Sequence, residues 1–125
     1  VKFVVQSIEM MLGGELYVPK IPSYNILELA KAISPSSKHK FIGIRPGEKL
    51  HESLINNYEL LNTYELGDYY VILSPHVTKF QSSKIEKNYP DLKKISNMET
   101  YSSDNVSKIS KEELKQKILN LNLIT

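Results

Sequence analysis

Phe41-Ile42-Gly43-Ile44-Arg45-Pro46-Gly47-Glu48-Lys49-Leu50-His51-Glu52 is a short apolar run that ends in an arginine, a tight turn and a charged segment. Ile42 and Ile44 alternate as the buried face of a strand would, so the run predicts a strand with Arg45 at its end. Pro46-Gly47 predicts a type II turn, because proline presets one φ and glycine accepts the positive one that follows. Past the turn, Leu50 and Leu54 recur at i, i+4 while Lys49, Glu52 and Ser53 face away from them. This spacing predicts a short helix with Glu48 in its first turn. Strand, turn and helix would hold a cation and a carboxylate in fixed relation.

Arg45 is the only arginine in the chain. A guanidinium grips a phosphate or carboxylate through two parallel hydrogen bonds, and a neighbouring carboxylate accepts hydrogen bonds from sugar hydroxyls. Arg45 with Glu48 therefore suits a nucleotide diphosphate. The same two residues also suit a local ion pair closing a turn, worth about 0 to 1 kcal/mol when exposed. Residue types alone leave both readings open.

Other chemistry is excluded more firmly. His51-Glu52 begins a zinc-protease pattern, but Ile55 stands where the second histidine belongs. His39, His51 and His76 are too far apart in sequence to form a ligand set, and without cysteine there is no disulfide, thiolate nucleophile or Cys-type zinc site. Tyr89 and Lys93 match the Tyr-x-x-x-Lys spacing of short-chain dehydrogenases, but they follow no strand or glycine-rich loop. No Gly-x-Gly-x-x-Gly or Gly-Lys-Ser/Thr stretch exists to cradle a dinucleotide or triphosphate.

Outward from this stretch, Val1, Val5, Ile8 and Leu12 predict a helix with one buried face, stopped by Gly13-Gly14. Leu16-Tyr17-Val18 predicts a strand, and Pro19-Lys20-Ile21-Pro22 then runs extended and carries Lys20 into a loop. Asn25 and Glu28 resemble a capping box opening a helix that Pro35 ends. Leu60 to Tyr64 and Tyr69 to Leu73 predict a hairpin around residues 65–68. Pro75 is expected to end the compact part. Residues 76–98 are rich in Ser, Lys, Asn and Glu, and read as a polar arm or loop, poorly ordered. Ser110 and Glu113 then cap an amphipathic terminal helix bearing Leu114, Ile118 and Leu121.

At 125 residues the chain is one ordinary domain in size. Sixteen Lys plus Arg against fourteen Asp plus Glu, without a basic stripe, argue against nucleic-acid binding. No apolar run approaches the roughly 20 residues that span a bilayer. The start at Val1, without an initiator methionine, reads as a piece of something longer, and a cytoplasmic location is expected.

Gly14-Glu15-Leu16-Tyr17-Val18-Pro19-Lys20-Ile21-Pro22-Ser23, followed by Ile42 to Glu52, resembles the C-terminal part of nucleotide-sugar 4,6-dehydratases. The C5-inverting UDP-N-acetylglucosamine branch of pseudaminic-acid biosynthesis is the nearest match. Tyr101-Ser102-Ser103-Asp104-Asn105 resembles that family's tail. The resemblance implies an α/β chain, a mixed, small C-terminal substrate-binding lobe of an extended short-chain dehydrogenase/reductase, with the Rossmann domain largely missing. It divides the chain into a lobe at 1–75, the arm at 76–98 and a tail at 99–125.

By the same resemblance Arg45 contacts the UDP diphosphate and Glu48 the uridine ribose, with Lys49 and Lys20 as further substrate contacts. Catalytic, cofactor-binding and metal residues are assigned to none of these positions. In the family a bound nicotinamide, NADP, takes a hydride from sugar C4, water is lost across C5 and C6, and the hydride returns at C6. The cofactor and the catalytic groups belong to the missing N-terminal domain. The implied partners are UDP-N-acetylglucosamine, the Rossmann domain and, at full length, further copies in a homo-oligomer. The alternatives are a related retaining or epimerising enzyme and a truncated, non-enzymatic interaction module.

Overall fold

In the computed structural model, which describes residues 2–76 and 82–121, Tyr69 to Ile72 is a strand paired on both edges. The described elements run α1 (Lys2–Met10), β1 (Leu16–Pro19), α2 (Ile26–Ile33), β2 (Ser53–Ile55), α3 (Asn57–Leu60), β3 (Thr63–Leu66), β4 (Tyr69–Ile72), α4 (Ser82–Asn88), β5 (Lys93–Lys94), β6 (Tyr101–Ser102) and α5 (Lys111–Asn120). The architecture is mixed α/β. It divides into two units, Val1–Lys20 with Ser53–Tyr101, and Ile21–Glu52 with Ser102–Thr125.

The first unit is built on an antiparallel sheet in the order β1-β4-β3-β5. Leu66 pairs with Tyr69, so β3 and β4 form a hairpin over the two residues Gly67 and Asp68, with Gly67 at φ 54°. Side chains alternate across a sheet, so one row holds Tyr17, Val71 and Tyr64 and the next holds Val18, Tyr70 and Glu65. On the first face Val71 and Leu73 pack with Ile85 and Tyr89, flanked by Leu12, Tyr17, Tyr64, Leu66 and Leu92. Removing each such large side chain from water stabilises by about 1.5 to 3 kcal/mol. On the second face Tyr70 meets Tyr101 edge-on at 5.0 Å.

Beneath the first face lies a polar network. Glu15 is buried, and its carboxylate accepts the amides of Leu12 at 2.9 Å and Gly13 at 2.7 Å. The hydroxyls of Tyr17 and Tyr89 are 2.6 Å apart, and Tyr89 reaches the carbonyl of Met10 at 2.9 Å and Glu15 at 3.3 Å. Burial, reinforced by Tyr17 and then Glu15, pushes the Tyr89 phenol far above its ordinary value and keeps it neutral.

In the second unit α2 packs on α5 through Ala32, Leu114 and Ile118, with Leu29 and Ile109 at the margin. Asn25 caps α2 by accepting the amides of Leu27 and Glu28. Ser110 and Glu113 cap α5 reciprocally. Ser23 joins the approach to α5 through hydrogen bonds with Ser107 and Ile109, both 2.9 Å.

Four expectations are corrected. The strand at 41–44 does not form: Gly43 at φ 82° breaks the run, and Phe41, Ile42 and Ile44 are 82, 72 and 58% exposed. A β-prone run becomes a strand only where a neighbouring edge supplies the ladder. The helix after the turn is absent, because Leu50 and Leu54 are exposed and Ser53–Ile55 is a strand that buries Ile55 completely. Helix α1 forms, but its apolar stripe is not buried, with Val4, Val5 and Ile8 exposed; Val1 lies outside the described residues. The arm at 76–98 is not a loop in its described part. It carries α4 and β5, and it supplies Ile85 and Tyr89 to the core, so the compact part does not end at Pro75. Residues 77–81 and 122–125 lie outside the described residues.

Replacing Tyr89 by Phe strips Tyr17 and Met10 of a buried partner and costs about 1 to 3 kcal/mol. Urea unfolding reads this as a lower midpoint at unchanged slope. A change within about 0.5 kcal/mol, as for a surface site, would return Tyr89 to a solvated arm.

Candidate functional site

Residues 34–52 of the second unit carry no helix or strand. The loop leaves α2 through Ser34, whose carbonyl accepts the Ser37 amide at 3.2 Å. At its centre Glu48 donates its amide to the Arg45 carbonyl at 3.0 Å, and Gly47 sits at φ 87°. This is the turn that Pro46-Gly47 predicts, since the positive φ is open to glycine without strain.

The turn fixes the two candidate residues differently. Glu48 Oε2 accepts the Arg45 amide at 2.9 Å, which anchors the carboxylate to backbone. The Arg45 side chain is 75% exposed, and its Nε stands 3.8 Å from Glu48 Oε1. That distance is too long for a hydrogen bond, so among the described residues the guanidinium is held by a solvated ion pair. Lys49 follows, exposed on the same loop.

Lys20 belongs to the first unit. Its ammonium pairs with the Glu65 carboxylate, donates to the Gly67 carbonyl, and lies 5.2 Å from the centre of the Tyr70 ring. The hydrogen bond from Lys20, then its charge, holds the Glu65 carboxyl below its usual value of 4.5. The structure thus brings Arg45, Glu48 and Lys49 together on one loop and gives Lys20 a partner elsewhere.

At the loop's exit stands Ser103, which sequence reasoning did not single out. Its hydroxyl lies 3.2 Å from His51 Nδ1 and accepts the Glu52 amide at 3.2 Å, while its own amide donates to the Glu52 carbonyl at 3.0 Å. Beside it, the Asp104 carboxyl is lowered first by a hydrogen bond from Ser102, then by its own backbone amide. The sequence signal for this corner is the run Ser102-Ser103-Asp104-Asn105, whose side chains favour hydrogen-bonded turns. Among the described residues no group of His, Asp and Glu has the geometry to hold a metal ion. None of the described helices is long and apolar enough to cross a membrane.

A family model described as "Polysaccharide biosynthesis protein" matches residues 1–74. An inverting UDP-N-acetylglucosamine 4,6-dehydratase of Campylobacter jejuni subsp. jejuni is 45% identical over 109 residues, covering 84% of this chain and 32% of that protein. A UDP-glucose 4-epimerase of Rickettsia bellii is 33% identical over 129 residues, covering 99% of this chain and 37% of that protein. Among solved structures, Pen from Bacillus thuringiensis superposes with a TM-score of 0.73 at 32% identity, over 97% of this chain and 34% of that one. The chain spans about a third of the length of the curated relatives it matches.

The Lys20–Glu65 pair makes a pH prediction. A carboxyl whose folded value is lowered contributes stability above its unfolded value, and that contribution fades as pH falls through the folded value. Replacing Lys20 by Met moves the Glu65 titration midpoint upward toward 4.5, read by NMR of the side-chain carboxyl. An unmoved midpoint would mean the pair does not persist in solution.

Proposed function

Because the chain belongs to the polysaccharide biosynthesis protein family, we propose that it is a UDP-sugar-binding segment of a C5-inverting UDP-N-acetylglucosamine 4,6-dehydratase. In this reading Arg45 grips the diphosphate and Glu48 accepts hydrogen bonds from the uridine ribose. Support comes from the division of labour at the turn. Glu48 is set by the Arg45 amide through Oε2, while Oε1 makes a long contact with Arg45 Nε at 3.8 Å. The guanidinium is exposed and loosely paired, so an anion can replace Glu48 as its partner at little loss. Lys49 adds positive charge beside it. Lys20 is engaged by Glu65 in the first unit.

The chain's own residues supply binding rather than hydride transfer. Its sequence offers no glycine-rich loop, and Tyr89 of the Tyr-x-x-x-Lys match is buried in a structural network. NADP enters the proposal as the cofactor of the whole enzyme, and no residue here is assigned to hold it. A cytoplasmic setting, a part in pseudaminic-acid or other surface-glycan synthesis, docking on a Rossmann domain and homo-oligomeric assembly are parts of the same proposal. The division into a lobe at 1–75 and a tail at 99–125 is kept as a description of the family's sequence blocks. Exposed Val4, Val5 and Ile8 on α1 support a docking role. They equally favour the second reading, a non-enzymatic interaction module, which need not bind UDP. A 4-epimerase reading is favoured by the Rickettsia relatives, which align with nearly the whole chain.

Titration with UDP separates the binding reading from the pure interaction module, which predicts no heat. In a complete enzyme carrying this segment, Arg45→Ala weakens UDP-sugar binding by about 2 to 5 kcal/mol if the diphosphate buries the guanidinium. Unchanged affinity would return Arg45 to a surface ion pair. Loss of water from UDP-N-acetylglucosamine, against 4-epimerisation of UDP-glucose, decides between the two enzyme readings. This polypeptide with added NADP is expected to turn over neither substrate.

A further inference from the structure

From the bonds at the exit of the Arg45 loop we infer that Ser103 is a positioning residue, which holds the Arg45–Glu48 turn in its binding geometry. The inference rests on the reading of Arg45 and Glu48 as the diphosphate and ribose contacts.

Residues 34–52 have no ladder or helix of their own, and the side chains from 35 to 52 are mostly exposed. Packing therefore does little to hold this loop, and its shape depends on where its ends are tied. The entrance is tied by the Ser34–Ser37 turn, whose hydroxyls are 2.6 Å apart. At the exit two successive residues, His51 and Glu52, make three hydrogen-bond contacts with Ser103. The hydroxyl serves two of those three bonds. It accepts the Glu52 amide and lies within hydrogen-bond reach of His51 Nδ1.

Ser103 can serve as an anchor because it is itself carried by a hydrogen-bonded turn. The amide of the buried Ser102 donates to Asn105 Oδ1 at 3.0 Å, and the Ser102 carbonyl accepts the amides of Asn105 at 3.1 Å and Val106 at 3.2 Å. The Asp104 carboxylate is bonded to Ser102 in turn. Residues 102–106 thus make a hydrogen-bonded turn that carries Ser103. An alanine at 103 keeps that turn and the backbone bond to Glu52. It removes the amide acceptor and the His51 contact, freeing the chain that leads back to Glu48.

Three variants of this chain test the inference: Ser103→Ala, Ser103→Thr and Arg45→Ala. The probes are UDP and amide hydrogen exchange at Arg45 and Glu48, the two amides that close the turn. Ser103→Ala is expected to speed exchange at both amides about 3- to 10-fold, and to weaken UDP by a similar factor, as loss of one or two net hydrogen bonds allows. Ser103→Thr keeps the hydroxyl and restores both readouts, which a purely structural loss would not do. Unchanged exchange in Ser103→Ala overturns the inference whatever happens to UDP. If exchange rises while UDP affinity holds, Ser103 orders the loop without positioning the site, and the inference also fails. If wild type binds no UDP, or Arg45→Ala binds it as wild type does, the reading of the site fails, while the exchange rates still decide what Ser103 holds.

Discussion

A buried carboxyl group, Glu15, is the constraint on which the first unit depends. Taking a carboxylate out of water is costly unless donors surround it, and here two amides and a phenol do so. Those donors come from the residues that follow α1 and from the residue that follows α4, while Glu15 itself leads into β1. One side chain therefore fixes the directions of three elements. Gly13 and Gly14 sit at φ 119° and 88° just where the chain must turn to bring the Leu12 and Gly13 amides onto the carboxylate. A residue with a Cβ at either position would be strained. The apolar face of the sheet then packs over this network, with Tyr89 belonging to both.

The second unit is stabilised differently. Its core is the contact of α2 with α5 around Ala32, Leu114 and Ile118, with both helix starts capped. The long loop contributes almost nothing to that core. This contrast separates the residues that secure the fold from those that do not: the loop exposes a cation, a carboxylate and several large apolar side chains.

What the sequence made legible was local. The Arg45-Pro46-Gly47-Glu48 turn, the Asn25 and Ser110 caps and the hairpin of β3 and β4 each follow from residues a few positions apart, whereas α1 ends at Met10, before the predicted stop at Gly13-Gly14. What escaped depends on distant partners. Tyr89 looks like a stray aromatic in a polar run until Glu15, 74 residues earlier, is placed beside it. Ile85 lies four residues before Tyr89, and that helical pair was hidden by lysines and asparagines around it. The alternation at 41–44 was real but had no sheet edge to join, and pattern alone cannot supply one. Lys20 was read as a solvated loop cation because it takes the pairing of β1 with β4, and of β4 with β3, to put Tyr70 and Glu65 beside it. At the candidate site, Arg45 and Glu48 could be picked from sequence, whereas Ser103, 51 residues from Glu52, could not.

The two residues of the turn differ in what folding asks of them. Glu48 caps the Arg45 amide, so its carboxylate has a structural reason to be there whether or not a ligand comes. Arg45 has none of comparable strength. Its amide and carbonyl close the turn, and any residue supplies those; its guanidinium adds only an exposed pair at 3.8 Å, worth at most about 1 kcal/mol. The long side chain also gives up rotamer freedom if it is ever held in one geometry. A solvent-facing arginine at a glycine turn thus contributes little to stability. This asymmetry also makes Arg45 the cleaner position to change, because loss of its side chain leaves both turn hydrogen bonds in place and any lost affinity belongs to the guanidinium.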